Sequence, residues 1–392
     1  MLVDRQTWLP PRLPLRWAVR RRRWECLPNT LTSNLRALGL LYEWGASRLG
    51  RNLDPLLESG MFLDGAEIET LIAYLRGRVL DQELSRRAAT AAPTLATLAS
   101  IALPVREFLK WVVDPQARGG TGIIDPTHLV AYRSRLDFAF QPVVRRIGAS
   151  RRIRPLTIAE DGRVRELVAP LAGNAGHIRQ PFRFHPANPF TPETRLRNWL
   201  MYQIARELGL RRSEMLALYY VDAAAVLSVR RRPNDRHDER RRPAYVKRGE
   251  RDLPTSRLLQ AGVRAYLTTP PPLGRRGVRT PLLFVASTTG APLSLSSTDD
   301  VAKVLARAAG IATLSWHTFR HTWAEEVAVD LLADHRGDEE RVLGILRALG
   351  GWSPRSLTPA HYIQQALRRE AWHYQEQRAS TLWTGRASAG AQ

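Results

Sequence analysis

The chain has 392 residues, 44% of them hydrophobic, enough for about two domains with cores of their own. It carries 59 Lys and Arg against 37 Asp and Glu, a net charge of +22, which points to a polyanionic partner, nucleic acid before an anionic membrane surface. The single cysteine, Cys26, excludes an internal disulfide framework and a Cys-based zinc site, and no apolar run approaches the roughly 18 residues that span a bilayer. The N-terminus has no apolar signal core, so a soluble, cytoplasmic protein is expected.

Residues 1–28 read as an irregular basic arm, with Pro10, Pro11, Pro14 and Pro28 and the run Arg20–Arg23 between Trp17 and Trp24. Such an arm is either solvated or laid on phosphates. From Thr30, a candidate N-cap, Leu35, Leu38, Leu41, Tyr42 and Gly45 fall near one helical face. Further helices are expected over about 65–90, 94–113 and 126–146, so 29–147 reads as an all-α domain. GASRRIRPLT breaks the pattern with Gly, Pro and three arginines, making 148–156 a linker to a second domain, 157–392. There, helices are expected over 157–172 and 192–209. VDAAAVLSVRRR and PAYVKRGERDLP read as two short strands joined by an arginine-dense loop, an ordinary solvated charge run by composition. TPLLFVAS is another short apolar run, and helices fill the rest. The expectation is a mainly α chain with a small β-sheet.

Three segments concentrate polar chemistry. In LGLRRSEMLAL, Arg211 sits in a tight turn between a helix ended by Gly209 and one opened by Ser213 and Glu214. In WHTFRHT, His317 and Arg320 share a helical face at a helix start, where free N–H groups and the dipole favour an anion. The bland alternatives are a surface arginine, a capping histidine and an Arg320–Glu325 pair. LGGWSPRSLTPAHYI is loop-like, with Trp352 in it and Tyr362 at its end, before the helical run IQQALRREAWHYQEQR.

Together these segments resemble the catalytic domain of the tyrosine recombinase family, the phage-integrase type. The family's GLRxSEL pattern matches Gly209 to Met215, its HxLRH pattern matches His317 to His321, and its LGH(S)…Y segment matches Leu349 through Tyr362, with Trp352 where many members have His. The resemblance covers about residues 155–378, and 29–147 is similar to the family's helical core-binding (SAM-like) domain by position and helicity. It implies a two-domain, C-shaped clamp on double-stranded DNA, assembled as a homotetramer on two DNA sites. The apolar tail residues Ile363, Ala366, Leu367, Ala371 and Trp372 would dock on a neighbouring subunit.

The resemblance also implies the chemistry. Tyr362 attacks a phosphodiester, leaving a 3′-phosphotyrosine and a free 5′-hydroxyl, and a second hydroxyl reverses the step without ATP. Arg211 and Arg320 stabilise the developing charge and help acidify the tyrosine, whose ordinary pKa is near 10. His317 donates a hydrogen bond or helps deprotonate Tyr362, and Trp352 donates through its indole N–H. Lys247, on the hairpin, protonates the leaving oxygen. Glu214 either orients an arginine or histidine of the site or is a first-turn carboxylate. No cofactor or metal is called for. Integration, excision or transposition of a mobile element is the expected setting. A type IB topoisomerase and a DNA-binding protein that no longer cuts are the rivals.

Overall fold

A computed structural model describes residues 2–3, 7–23, 28–86, 95–114, 126–144, 154–171, 182–223, 225–233, 235–247, 249–268, 280–335 and 338–387. Contacts divide the chain into two units, Met1–Arg152 and Ile153–Gln392.

The first unit is helical: α1 (Arg12–Arg23), α2 (Pro28–Trp44), α3 (Leu53–Glu58), α4 (Gly65–Arg86), α5 (Leu95–Val112) and α6 (Pro126–Val144). Helix α1 corrects the irregular arm expected from its prolines. Pro11 precedes the helix and Pro14 falls in its first turn, where a missing N–H costs nothing. Leu13 and Trp17 are buried at helical spacing, with the Trp17 ring edge-on to Phe108, while Arg16, Arg20 and Arg21 face outward. Helix α2 begins at Pro28 rather than being capped by Thr30, because proline's fixed φ suits a first helical position. Leu38, Leu41 and Trp44 from α2, Phe108 from α5 and Phe140 from α6 form the centre of the core. The expected extensions over 87–90 and 145–146, and the linker over 148–153, lie outside the described residues.

The second unit contains α7 (Ile158–Val168), α8 (Pro192–Leu208), α9 (Arg212–Leu216), α10 (Arg257–Thr268), α11 (Leu295–Ala308), α12 (Trp316–Asp334), α13 (Glu339–Gly350) and α14 (Thr358–Ala387). Two strands, β1 (Val226–Val229) and β2 (Arg251–Pro254), pair antiparallel, with Val226 opposite Pro254 and Val229 opposite Arg251. TPLLFVAS forms only isolated bridges, Tyr219 to Leu282 and Val285 to Pro292.

Helix α12 runs against α8, with Phe319 in the main core beside Tyr202 and Trp316. Buried Asp161 of α7 accepts from Arg206 of α8 at 2.9 Å, and Arg206 also reaches Glu326 of α12 at 2.8 Å. A smaller cluster joins Trp323 and Ala328 of α12, Leu346 of α13, and Tyr362, Ile363 and Ala366 of α14. These two packing arrangements fix the faces of α12 that frame the site.

The arginine-dense loop is not simply solvated. Arg240 is buried, paired with Asp238 at 2.6 Å and bonded to the carbonyls of Leu216 and Leu293, while Arg232 pairs with Asp222 and lies over the Tyr219 ring. Each guanidinium buries its charge only with matched acceptors.

Candidate active site

The turn between α8 and α9 places Arg211. Gly209 ends α8 at φ +60°, and a Cβ there would overlap the Trp323 indole, so the position demands glycine sterically and conformationally. Arg211 then caps α9 with extended backbone, and its N–H donates to Glu214 Oε2 at 3.0 Å. Its Nη1 donates to Glu214 Oε1 at 2.5 Å and to the Gly350 and Gly351 carbonyls at 3.3 and 3.2 Å. Its Nη2 has no partner among the described residues.

Ser315 caps α12, accepting from the Thr318 N–H while Thr318 Oγ1 accepts from the Ser315 N–H. Trp316 anchors the first turn by donating its indole N–H to the Thr298 carbonyl at 2.6 Å. Arg320 consequently points inward, 1% exposed. It donates from Nη1 to the Gly209 carbonyl at 2.6 Å and from Nη2 to the Gly350 carbonyl at 2.7 Å. It thereby clamps the α8–α9 turn to the end of α13.

Gly350 and Gly351 let the chain turn closely here. A Cβ on Gly350 would overlap the Trp352 ring, and Gly351 takes φ +60°. Trp352 can therefore fold over the site: the Arg320 guanidinium lies 4.1 Å from its ring centroid and that of Arg211 5.8 Å. Tyr362 lies inside α14, one turn from its start, rather than at the end of a loop, because Thr358 and Pro359 open the helix earlier. Its ring is 5.9 Å from Trp352, and its hydroxyl is 2.8 Å from His321 Nδ1.

Glu214 is the electrostatic hub, 1% exposed. It pairs with Arg211 at 2.5 Å and Arg251 at 2.9 Å, and Arg320 Nη1 is 4.0 Å away. Burial pushes its carboxyl up, but Arg251, Arg211 and Arg320 together outweigh burial and hold it below its ordinary value. Both sequence readings of Glu214 hold, since one oxygen caps the turn while the pair gathers the arginines. Glu325, the sequence candidate for Arg320, instead pairs with Arg369 at 2.8 Å.

Burial lowers the pKa of Arg320, and Arg211 adds to it, but a guanidinium stays charged in this range. His317 is lowered by burial, then by Arg320 and Arg211. Tyr362 is raised to about 12: burial outweighs the opposing pull of Arg320 and Arg211. The two arginines do pull the phenol down, as expected, but in the free protein burial raises it by more.

Arg211, Arg320, Trp352 and Tyr362 thus meet in one cluster, with His317 beside it. The His317 ring packs edge-on against His321 at 4.5 Å, and among the described residues His317 has no hydrogen-bond partner. Lys247 is not brought against the cluster. It is exposed, in the loop before β2 rather than in a strand, two residues from Gly249, whose backbone abuts Gly351. Sequence reasoning missed Arg251, which joins Glu214 to the Gly249 carbonyl, and His321, which touches the tyrosine. Arg251 looked like one more charge in a charged hairpin. His321 was visible only as part of a motif. Among the described residues no group of three His, Cys, Asp or Glu side chains is placed to hold a metal ion, and no helix is long and apolar enough to cross a membrane.

The fold is that of the tyrosine recombinases. The chain is similar to the XerH site-specific recombinase bound to palindromic difH substrate, at 16% identity and a TM-score of 0.51, over 92% of this chain and 96% of that one. It is equally similar to the Tn1549 transposon integrase (residues 82–397) in complex with circular intermediate DNA, at 15% identity and a TM-score of 0.50, over 92% and 99%. No protein-family model matches the chain, and neither does any curated protein.

Proposed function

We propose that this protein is a site-specific DNA recombinase that cuts and rejoins strands through a covalent 3′-phosphotyrosine on Tyr362. The observation that carries the reading is the convergence of Arg211, Arg320, Trp352 and Tyr362, from three separate segments, with both arginines held beside one buried carboxylate. Both structures compared above are DNA complexes of enzymes named for recombination and integration. In this reading both units bind double-stranded DNA, the first as a core-binding domain. The reaction serves a mobile element, by integration, excision or transposition.

The cluster suits phosphoryl transfer. Arg211 and Arg320 form a fixed pair of cations whose orientation is set by carbonyls and Glu214 before substrate arrives, so little reorganisation is needed as charge builds on the non-bridging oxygens. The half-buried Arg211, with Nη2 uncommitted, meets the phosphate directly, while Arg320 acts from beneath the Trp352 ring. His317, the exposed residue of an otherwise buried first turn and without a hydrogen-bond partner among the described residues, adds a donor, and the Trp352 indole N–H another. Lys247 is the general acid for the leaving 5′-oxygen, carried in by its loop when DNA binds. Four protomers on two duplexes complete strand exchange.

The test uses supercoiled plasmids carrying the genomic DNA that flanks the gene. Wild-type protein should yield recombinant products and an SDS-stable protein–DNA complex, while Tyr362→Phe should bind the same DNA and yield neither. Relaxation of a plasmid lacking flanking DNA would favour a topoisomerase, and binding without any covalent complex a non-cutting protein.

A further inference from the structure

We propose that His321, rather than His317, is the base that takes the proton from the Tyr362 hydroxyl when the tyrosine attacks DNA. The inference rests on the recombinase reading of the site and concerns a residue beyond the set that reading uses.

The geometry starts from α12 and α14, which pack side by side with Trp323, Ala328, Tyr362 and Ile363 in one cluster. That packing sets Tyr362, 3% exposed, across from the second turn of α12. The Tyr362 hydroxyl lies 2.8 Å from Nδ1 of His321, within the reach a general base requires, and the two rings are 5.4 Å apart. His317 touches His321, not the tyrosine.

The electrostatics keep the His321 ring in the form that can accept a proton. Buried Tyr362 keeps its proton at neutral pH, so attack needs an acceptor in contact with it. His321 is held neutral, at about 4, by burial and then by His317 and Arg320 on its own helix; Tyr362 faces it from α14. A neutral imidazole with its proton on Nε2 presents Nδ1 as an acceptor. Arg320 and Arg211 favour the phenolate as it forms, against Glu325, so the transferred charge falls where two guanidiniums act on it.

The step balances. The Oη–P bond forms and the P–O5′ bond breaks. The phenol proton passes to Nδ1 of His321, and the leaving 5′-oxygen takes a proton from Lys247. In rejoining, the incoming hydroxyl gives its proton to the neutral Lys247 amine as it displaces the tyrosine, and His321 returns its proton to Oη.

The experiment measures single-turnover cleavage of a nicked duplex, cut from the flanking fragment that the wild type cleaves, across pH 6–9. His321→Ala should bind DNA normally but cleave about 10²–10⁴-fold more slowly at pH 7. Its deficit should shrink about tenfold per pH unit as hydroxide takes over deprotonation. His321→Asn keeps a polar group near Nδ1 but cannot accept the proton, so it should be as slow as the alanine variant with the same slope. A fluorotyrosine at position 362, whose phenol is more acidic, should restore much of the rate in either variant. Wild-type rates for His321→Asn would reduce the residue to positioning and overturn the proposal. A pH-independent deficit, or no deficit, would overturn it too. Absence of any Tyr362 adduct in the wild type is a different failure, that of the recombinase reading itself.

Discussion

Replacing Glu214 is the perturbation that most strains this architecture. Its carboxylate is 1% exposed, lies between Arg211 at 2.5 Å and Arg251 at 2.9 Å, and has Arg320 at 4.0 Å. The Arg211 N–H also depends on it, at 3.0 Å. Removing the charge leaves two strongly buried guanidiniums, Arg251 and Arg320, without a counter-ion. Breaking a buried pair by deleting one partner costs about 3–5 kcal/mol, against about 0–1 for a surface pair. For a unit of this size that corresponds to a loss of roughly 6–20 °C in Tm. Glu214→Ala should show the full effect in calorimetry of the intact chain, confined to the transition of the second unit. Glu214→Gln keeps the volume and one acceptor but should still lose about 2 kcal/mol or more, because the charge is what holds the arginines. Adding Arg251→Met to Glu214→Gln should recover part of that loss, since one orphaned cation is then removed. A Glu214→Gln protein within about 1 kcal/mol of wild type would refute the hub, placing the pair among weakly coupled surface bridges.

Lys247 is exposed, so Lys247→Ala should leave stability within about 0.5 kcal/mol. It should cleave ordinary DNA about 10²–10⁴-fold more slowly yet cleave DNA with a bridging 5′-sulfur at nearly the wild-type rate, because a thiolate leaves without a proton. Arg320→Ala should be slow on both substrates; equal impairment of Lys247→Ala on both would move the acid elsewhere. His321 makes stability depend on acid. Its folded pKa, about 4, lies below the unfolded 6.5, so the unfolded chain binds the extra proton and stability drains away as pH falls from about 6.5 to 4. The loss should approach, without exceeding, about 3 kcal/mol, since the ring is partly exposed, and it should be absent from His321→Asn in urea titrations. Deleting residues 371–392 should leave single-site binding intact and abolish paired-site complexes, because Trp372 is exposed whereas Ile363 and Ala366 are packed within their own unit. Paired-site complexes surviving the deletion would remove the tail from assembly.

The motifs carried much of the site because they encode local geometry. Gly209 before Arg211 spelled a helix end, and Trp-His-Thr-Phe-Arg-His spelled a helix start. Helix α2 followed from the apolar spacing of Leu35, Leu38 and Leu41 for the same reason. Helix α1 was hidden because its prolines read as breakers, although at a helix start they are not, and its buried Leu13 and Trp17 sit among arginines. Arg251 and the direction of the Tyr362 shift were illegible for a different reason. Both depend on which distant segments pack together, and no local pattern states that burial outweighs two nearby cations. The tail shows the same limit: Ile363, Ala366 and Leu367 look like a docking stripe, but α12 and α13 already cover them.

The central claim is that Tyr362 becomes covalently bound to DNA. The direct measurement incubates the intact protein with nicked duplex fragments tiling the DNA that flanks its gene, digests the SDS-stable complex with protease, and sequences the peptide left on the DNA by mass spectrometry. The account predicts a single adduct on the peptide containing Tyr362, joined through a 3′-phosphate. An adduct on Tyr374, which is exposed farther along α14, or no adduct on any fragment that the protein binds, would contradict it.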